Sequence, residues 1–263
     1  MSDHPIAARW RTVRAERRAA LIPYLTAGYP SPAVAVDALR MVEAAGADLV
    51  EVGVPFSDPL ADGVTIQRST QAALDLGVGM SDVLEQVRRA ALRIPVVIMT
   101  YVNPVLAYGV ERFLRDAHGA GASGVLLTDF PAGADPALER LVTASPLALI
   151  RLVAPTTTPE RLQVALQGAG GFVYLISRLG VTGVRDDVPT DIPSHVARIR
   201  AATTLPIAVG FGISTPAQAR AAGAVADGVV VGSALVEALG TGGIAQAERL
   251  VRGLRGAMER NGS

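Results

Sequence analysis

Two carboxylates in one short stretch are the residues whose types and spacing could do chemistry. Glu51 lies inside the apolar run DLVEVG, and Asp62 closes the loop VPFSDPLADG that follows it. A glutamate inside an apolar strand costs free energy unless it is neutralised, paired or used. Apolar neighbours raise the pKa of a carboxyl group, whereas an acid in a loop can stay ionised. The stretch therefore predicts a proton-transfer acid, Glu51, beside an anion, Asp62.

Composition removes several other chemistries. The chain has 263 residues, with neither lysine nor cysteine among them. Without lysine it cannot form a Schiff base with a carbonyl substrate or pyridoxal phosphate, and without cysteine it has no thiolate nucleophile. Its histidines, His4, His118 and His195, lack the spacing of a metal site. We therefore expect neither a metal nor a cofactor in this chain.

Charge and hydropathy limit the partners and the location. The formal net charge is zero and the arginines are scattered, so nothing points to nucleic acid. No apolar run approaches the roughly 18 residues of a membrane-spanning helix. The first twenty residues are charged and lack the apolar centre of a signal peptide. Together with the absence of cysteine, which fits a reducing compartment, this predicts a cytoplasmic location.

Short apolar runs alternate with amphipathic helices along the whole chain. Such continuous runs are typical of parallel strands covered by helices. Residues 1–263 contain no linker or change of composition, and we predict one (β/α)₈ barrel, with an open doubly wound sheet as the alternative. The predicted strands are LIPYLT from Leu21, DLVEVG from Asp48, PVVIMT from Pro95, GVLLT from Gly124, LALIRLV from Leu147, GFVYLIS from Gly171, PIAVGF from Pro206 and DGVVVG from Asp227.

The helices between these strands have clear start signals. A capping side chain precedes a proline at four predicted helix starts, at Ser31, Asp135, Thr158 and Thr215. An extra N-terminal helix is predicted up to Ala20, with Ile6, Trp10 and Val13 on one face. The intervals between strand starts are longest after strands two and six, which predicts enlarged loops there. In barrels of this kind the loops after the strands form the catalytic face.

Glycines recur in the loops after the last three strands. The loop SRLGVTG follows strand six, GFGIS follows strand seven, and Gly232 with Ser233 opens a short helix, predicted over residues 234–239, after strand eight. Barrels commonly bind phosphate with these loops and the N-terminus of such a helix. Glycine lets backbone N–H groups approach the anion, and the helix end adds a favourable partial charge. We therefore predict a phosphate site at this end of the barrel.

Several stretches of the chain resemble those of a known family. The stretch LVEVGVPFSDPLADGVTIQ is similar to the signature of the tryptophan synthase alpha chain, and LIPYLTAGYP, TYVNPVLAYG, YLISRLGVTG, GFGIS and DGVVVGSA match in order. The resemblance covers the chain from Leu21 to about Leu239. It implies a (β/α)₈ barrel that cleaves indole-3-glycerol phosphate to indole and glyceraldehyde 3-phosphate.

The resemblance also assigns roles to individual residues. It implies that Glu51 and Asp62 are the catalytic acids. It places the phosphate on backbone N–H groups of Gly183, Gly212, Gly232 and Ser233. It places Tyr24, Ile66, Tyr174 and Phe211 around the indole or near the glutamate. Tyr24 stands where the family often has phenylalanine.

The family's alpha chain binds a beta chain that carries pyridoxal phosphate and receives the indole, as an alpha2beta2 heterotetramer. By resemblance the interface includes Asp58, Tyr101, Asn103 and Pro104, and Asp129 takes part in coupling. The loop with Asp129, LTDFPAGAD, lacks the acidic pair that often follows in the family.

Three other functions stay open on sequence grounds. A stand-alone lyase would release free indole, and a non-catalytic activator of a partner enzyme would not need Glu51. A sugar-phosphate epimerase or isomerase is the third, although epimerases of this fold generally use a histidine-rich metal site. An indole-release assay with and without a beta chain would separate a stand-alone lyase from a synthase subunit.

Overall fold

The strands of this chain close into a barrel. The computed structural model describes residues 4–176, 191–210 and 212–259. In it, eight parallel strands pair in chain order and the last returns to the first, which confirms the predicted (β/α)₈ barrel and excludes the open sheet. The strands are β1 (Ala20–Thr26), β2 (Val50–Gly53), β3 (Val96–Thr100), β4 (Ala122–Leu127), β5 (Ala148–Val153), β6 (Val173–Ile176), β7 (Ile207–Gly210) and β8 (Gly228–Val231).

Helices connect the strands and cover the outside of the barrel. Those in the described ranges are α1 (Pro5–Ala15), α2 (Pro32–Ala44), α3 (Val64–Asp75), α4 (Met80–Ala90), α5 (Val102–Tyr108), α6 (Val110–Gly119), α7 (Pro136–Ala144), α8 (Pro159–Ala165), α9 (Ile192–Arg200), α10 (Pro216–Gly223) and α11 (Ser233–Met258). In α2, α7, α8 and α10 the predicted capping side chain accepts a backbone N–H of the first turn. None of these helices is both long and apolar enough to cross a membrane.

Alternation along the strands decides which side chains face the barrel interior. Leu49 packs in the cluster that fills the interior, whereas Val50 and Val52 pack in the layer between strands and helices. Glu51 alternates with these two valines and therefore faces inward. The side chain of Tyr24 in β1, which is paired with Glu51, faces inward by the same alternation.

Helix α1 closes the N-terminal end of the barrel. Its buried apolar face joins the interior cluster through Ile6, Trp10 and Val13. The helix ends at Ala15, so the predicted end at Ala20 is wrong. The chain turns at Arg17, whose φ is 54°, and Ala20 already begins β1.

The extra length after β2 is more than a loop. Residues 54–63 form a loop, and α3 follows it and packs against β1 and α11. Helix α4 then packs against α2 and α6, as the connecting helix of a barrel must. The insertion therefore adds a helix near the ends of the strands that carry Glu51 and Tyr24. The predicted enlargement after β6 falls on residues 177–190, outside the described residues.

The helix after β8 is longer than predicted. The short helix expected over residues 234–239 is the first part of α11, which runs from Ser233 to Met258 and is kinked at Gly243. Gly243 has a φ of 65°, in the left-handed region that glycine enters without strain. The first part of α11 therefore keeps its N-terminus beside β8, while the chain beyond the kink continues over the outside of the barrel.

A buried ion pair joins the starts of β1 and β2. The sequence predicts that strand β2 begins at Asp48, whereas in the structure it begins at Val50. The carboxylate of Asp48 instead accepts two hydrogen bonds from the Arg18 guanidinium, at 2.6 and 2.7 Å, and one from the Leu21 N–H at 3.0 Å. Both charged side chains are less than 10% exposed. This pair fixes the barrel at the end opposite Glu51 and Asp62.

Replacing Asp48 by alanine should destabilise the fold strongly. Arg18 would stay buried with the half-exposed Glu16 and the Ala19 carbonyl as its remaining partners, and breaking a buried pair from one side costs about 3–5 kcal/mol. The matched control is Asp37→Ala, which removes an exposed pair with Arg40 and should cost less than about 1 kcal/mol. Urea unfolding measures both values, and equal losses would contradict this account.

Candidate active site

Glu51 is a fully buried acid at the centre of β2. Its neighbours in the sheet register are Tyr24 on β1 and Val97 on β3. The residue is 0% exposed, and neither carboxylate oxygen has a hydrogen-bond partner among the described residues. Burial raises the pKa of Glu51 to about 8. The group is therefore mostly protonated at neutral pH and can donate a proton to a ligand.

Asp62 is the second acid, at the end of the loop after β2. It is 9% exposed, and burial raises its pKa to about 6, against the lowering effect of a hydrogen bond from Tyr101. Asp62 is therefore mostly ionised at neutral pH, whereas Glu51 is mostly protonated. Two carboxyl groups with separated pKa values can act as acid and anion in one site.

The pKa values of two tyrosines depend on both acids. The negative charges of Asp62 and Glu51 both raise the pKa of the Tyr24 phenol, after the larger effect of burial. The same two charges raise the pKa of Tyr174, which faces inward from β6, again after burial. Both phenols therefore lie near both acids at the barrel mouth.

Tyr101 connects β3 to the loop that carries Asp62. Its side chain is 5% exposed, its hydroxyl accepts the Ala61 N–H at 3.0 Å, and it lowers the pKa of the neighbouring Asp62. Its ring packs on Phe56 with centroids 5.1 Å apart. By resemblance Tyr101 belongs to a partner interface, but here its side chain lies under the loop. The one sequence signal for this role of Tyr101 is its position directly after β3, at the catalytic end of a strand.

An apolar cluster, which would form one wall of the predicted indole pocket, adjoins these groups. Tyr24, Ile66 and Val236 form a buried cluster, with Met99 and Tyr29 packed against it. The Tyr24 hydroxyl accepts a long hydrogen bond from Thr26 Oγ1 at 3.4 Å. Tyr24 and Ile66, predicted for the indole pocket, are thus in one cluster. Phe211 lies outside the described residues.

Two glycines make room for the tyrosines, and sequence reasoning missed this role. A Cβ at Gly53 would lie 2.0 Å from the Tyr24 hydroxyl oxygen, and one at Gly210 would lie 2.3 Å from that of Tyr174. Any larger residue would displace these rings from the pocket. In each pair the glycine lies on the strand next to the tyrosine, so only strand register reveals the contact.

Gly232 links the predicted phosphate site to this pocket. It caps the N-terminus of α11, where its carbonyl accepts the N–H of Val236 at 3.0 Å. A Cβ on Gly232 would lie 3.6 Å from Tyr24 Cβ, so the helix end adjoins the pocket. Ser233 opens the helix and is exposed. The first N–H groups of a helix have no intrahelical acceptor and can bind an anion.

The other two residues predicted to bind phosphate are Gly212 and Gly183. Gly212 follows β7 with a φ of 77°, and no atom of the described residues lies within 4 Å of a Cβ built on it. Gly183 lies outside the described residues, as does the rest of the SRLGVTG loop beyond Ile176.

The residues predicted for a partner surface differ in exposure. Asp58 and Asn103 are exposed and Pro104 is half-buried. Asp58 accepts a hydrogen bond from Ser57 Oγ at 2.6 Å. Two exposed leucines lie close to them in the chain, Leu60 at 92% and Leu106 at 55% exposure.

No group of three or more histidine, aspartate or glutamate side chains in the described ranges could hold a metal ion. His4 instead accepts the N–H of Ile6 at the start of α1, and His195 is paired with Asp191. These histidines have structural contacts far from Glu51 in the chain. The chemistry available at the site is that of two carboxyl groups, phenols and backbone N–H groups.

Comparison with known proteins places this site in a family. The family model "Tryptophan synthase alpha chain" matches residues 10–260. The chain belongs to the tryptophan synthase alpha chain family. The alpha chain of Nitratidesulfovibrio vulgaris is 43% identical over 245 residues, covering 92% of this chain and 95% of that one. The alpha chain of Gluconacetobacter diazotrophicus is 46% identical over 237 residues, covering 89% and 86%.

Solved structures agree with the sequence comparison. A chain of Mycobacterium tuberculosis tryptophan synthase superposes with a TM-score of 0.92 and 40% identity, covering 98% of this chain and 99% of that one. The alpha subunit from Legionella pneumophila superposes with a TM-score of 0.90 and 32% identity, covering 98% and 99%. The barrel is therefore the alpha-chain barrel over nearly its whole length.

The buried acid of this alpha chain should make stability depend on pH. Burial raises the pKa of Glu51 from 4.5 to about 8, so between these values the folded chain holds a proton that the unfolded chain releases. The free energy of unfolding therefore falls as pH rises through this window. Glu51→Gln removes this loss and should stabilise the protein at pH 8 by on the order of 3–5 kcal/mol, but very little near pH 4.5.

Urea unfolding of the parent and the glutamine variant at both pH values measures this difference. The control is Glu85→Gln, at an exposed glutamate paired with Arg88, whose effect should not change over the same range. A stability difference for Glu51→Gln that is independent of pH would contradict the raised pKa.

Proposed function

We propose that Glu51 and Asp62 carry out the reaction that family membership assigns to this chain. As a tryptophan synthase alpha chain it is a carbon–carbon lyase, which cleaves indole-3-glycerol phosphate to indole and glyceraldehyde 3-phosphate. The observation that carries the assignment of roles is the environment of Glu51. It is a fully buried carboxyl group without a hydrogen-bond partner among the described residues, and its pKa is raised to about 8.

Cleavage of a carbon–carbon bond needs a group that accepts the bonding electrons. The chain has no lysine for a Schiff base, but the indole ring of the substrate can serve once its C3 is protonated. A protonated Glu51 donates this proton and the ring becomes a cation. The resulting carboxylate then accepts the proton of the adjacent glycerol hydroxyl. The carbon–carbon bond breaks, its electrons restore the aromatic indole, and the alcohol carbon becomes the aldehyde.

Asp62 acts on the cationic intermediate by charge. Its pKa of about 6 keeps it ionised at neutral pH, and a carboxylate near the ring N–H stabilises the developing positive charge. The Tyr101 hydroxyl accepts the Ala61 N–H of this loop and so holds the adjacent carboxylate in place before the charge develops. Such preorganisation is the part of electrostatic catalysis that a protein provides better than water.

The remaining parts of the substrate fit the rest of the mouth. Tyr24 and Ile66 supply an apolar wall for the indole, and Tyr174 faces the same space. We place the phosphate on the backbone N–H groups of Gly212, Gly232 and Ser233, with Gly183 as a further contact by resemblance. The contact of Gly232 with Tyr24 supports this arrangement, because it brings the anion site beside the ring site.

We further propose that this chain passes indole to a beta chain carrying pyridoxal phosphate, in an alpha2beta2 heterotetramer. The exposed residues Asp58, Leu60, Asn103 and Leu106, with half-buried Pro104, support a partner surface at the barrel mouth. Tyr101 would act behind that surface, through Asp62. The absence of cysteine supports the cytoplasm as the location.

Substitution of the two acids tests the assignment. Glu51→Gln should lower kcat for indole release by about 10²–10⁴-fold, because it removes the proton donor. Asp62→Asn should lower kcat by about 10²–10³-fold with little change in KM, because its charge acts mainly in the transition state. Glu85→Gln is the matched control and should keep parental kinetics.

The assay follows indole release from indole-3-glycerol phosphate, with and without purified beta chain. Near-normal turnover by Glu51→Gln would overturn the assignment of the proton donor. An effect of Asp62→Asn confined to KM would reduce that residue to substrate binding. Activation of the parent by the beta chain is expected for a synthase subunit, whereas full activity alone would indicate a stand-alone lyase.

A further inference from the structure

A buried arginine in β5 has no place in the chemistry described so far. Arg151 is 4% exposed. Its guanidinium donates from Nε to the Gln167 carbonyl at 3.2 Å, from Nη1 to the Phe130 carbonyl at 3.3 Å, and from Nη2 to the Glu139 carboxylate. It thus joins β5 to the end of α8, to the loop after β4 and to α7.

Stability alone does not account for this arginine. Leu149 and Val153, two positions away on the same face of β5, are buried in the apolar layer between strands and helices. Apolar residues can replace a buried ion pair without loss of stability, and often with a gain. We therefore expect the charge at this position to hold a neighbouring segment in one conformation.

The segment is the loop after β4, residues 128–135. The Arg151 guanidinium lies 5.6 Å from the Phe130 ring centroid, in addition to its bond to the Phe130 carbonyl. The Glu139 oxygen that pairs with Arg151 also accepts the Gly133 N–H at 3.0 Å. Arg151 and Glu139 therefore hold this loop at two points of its backbone.

The same loop reaches the residue that holds Asp62. The Asp129 carboxylate accepts the Val102 N–H at 2.8 Å, and the Thr128 N–H donates to the Thr100 carbonyl at 2.9 Å. These bonds flank Tyr101 on both sides. Arg151 thus holds the loop after β4, this loop bonds to the residues on either side of Tyr101, and the Tyr101 hydroxyl accepts the N–H of Ala61, the residue before Asp62.

We infer that Arg151 is a positioning residue for the lyase reaction, which acts by fixing the loop after β4 and through it Tyr101, whose hydroxyl holds the loop that carries Asp62. The inference rests on the proposed role of Asp62. Arg151 would then affect turnover from β5, outside the substrate pocket.

Two variants separate positioning from stability. Arg151→Lys keeps the charge but cannot make the three-way donation. The double variant Arg151→Leu with Glu139→Leu removes both charges and should unfold at the same or a higher urea concentration than the parent. Both should lower kcat for indole release by about tenfold or more, since small misplacements of catalytic groups have effects of this size. KM should change less than threefold.

A double-mutant cycle tests the route. If Arg151 acts through Tyr101, then Arg151→Lys combined with Tyr101→Phe should lose little more activity than Tyr101→Phe alone. Losses that multiply would overturn the inference, and so would parental kcat or loss of folding in the double-leucine variant. Arg40→Lys, at an exposed arginine that donates to the Arg89 carbonyl, is the control and should keep parental kcat.

Asp62→Asn in the same assay distinguishes the two failures. If it keeps parental turnover, the proposed role of Asp62 fails and this inference fails with it. If it loses turnover while the Arg151 variants do not, only the role of Arg151 is wrong.

Discussion

The burial of one unpaired carboxyl group is the constraint on which the rest of this structure depends. Glu51 faces the barrel interior from β2 with no hydrogen-bond partner among the described residues, so the protein holds it mainly in its neutral form. The eight-stranded barrel makes this possible, because closed hydrogen bonding and the Arg18–Asp48 pair fix the strands at the opposite end. The proposed proton donor therefore lies on a strand of the closed barrel.

The second acid is held in a different way. Asp62 lies at the end of a loop, and its position depends on Tyr101, which lies directly after β3 and is flanked by bonds from the loop after β4. The loops after β4, β3 and β2 are thus linked in turn, starting from Arg151 on β5. In the proposed mechanism, proton transfer belongs to a strand and charge stabilisation to a loop.

Much of this could be predicted from the sequence, and the exceptions have physical reasons. Apolar runs and proline-preceded caps are local signals, so the strands and four helix starts were predicted, and Glu51 was conspicuous as a charge in an apolar run. The end of α1, the start of β2 and the extra helix α3 depend on tertiary contacts such as the Arg18–Asp48 pair. The contacts of Gly53 with Tyr24, and of Tyr101 with Asp62, join residues from different strands or loops, and no local pattern encodes them.

The protonation state of Glu51 is the central claim, and infrared difference spectroscopy measures it directly. Subtracting the spectrum of Glu51→Gln from that of the parent, without substrate, isolates the signal of this one carboxyl group. We expect the band of a protonated carboxylic acid near pH 7, replaced by carboxylate bands as pH rises through about 8. Carboxylate bands alone at pH 7, persisting down to about pH 5, would contradict the account.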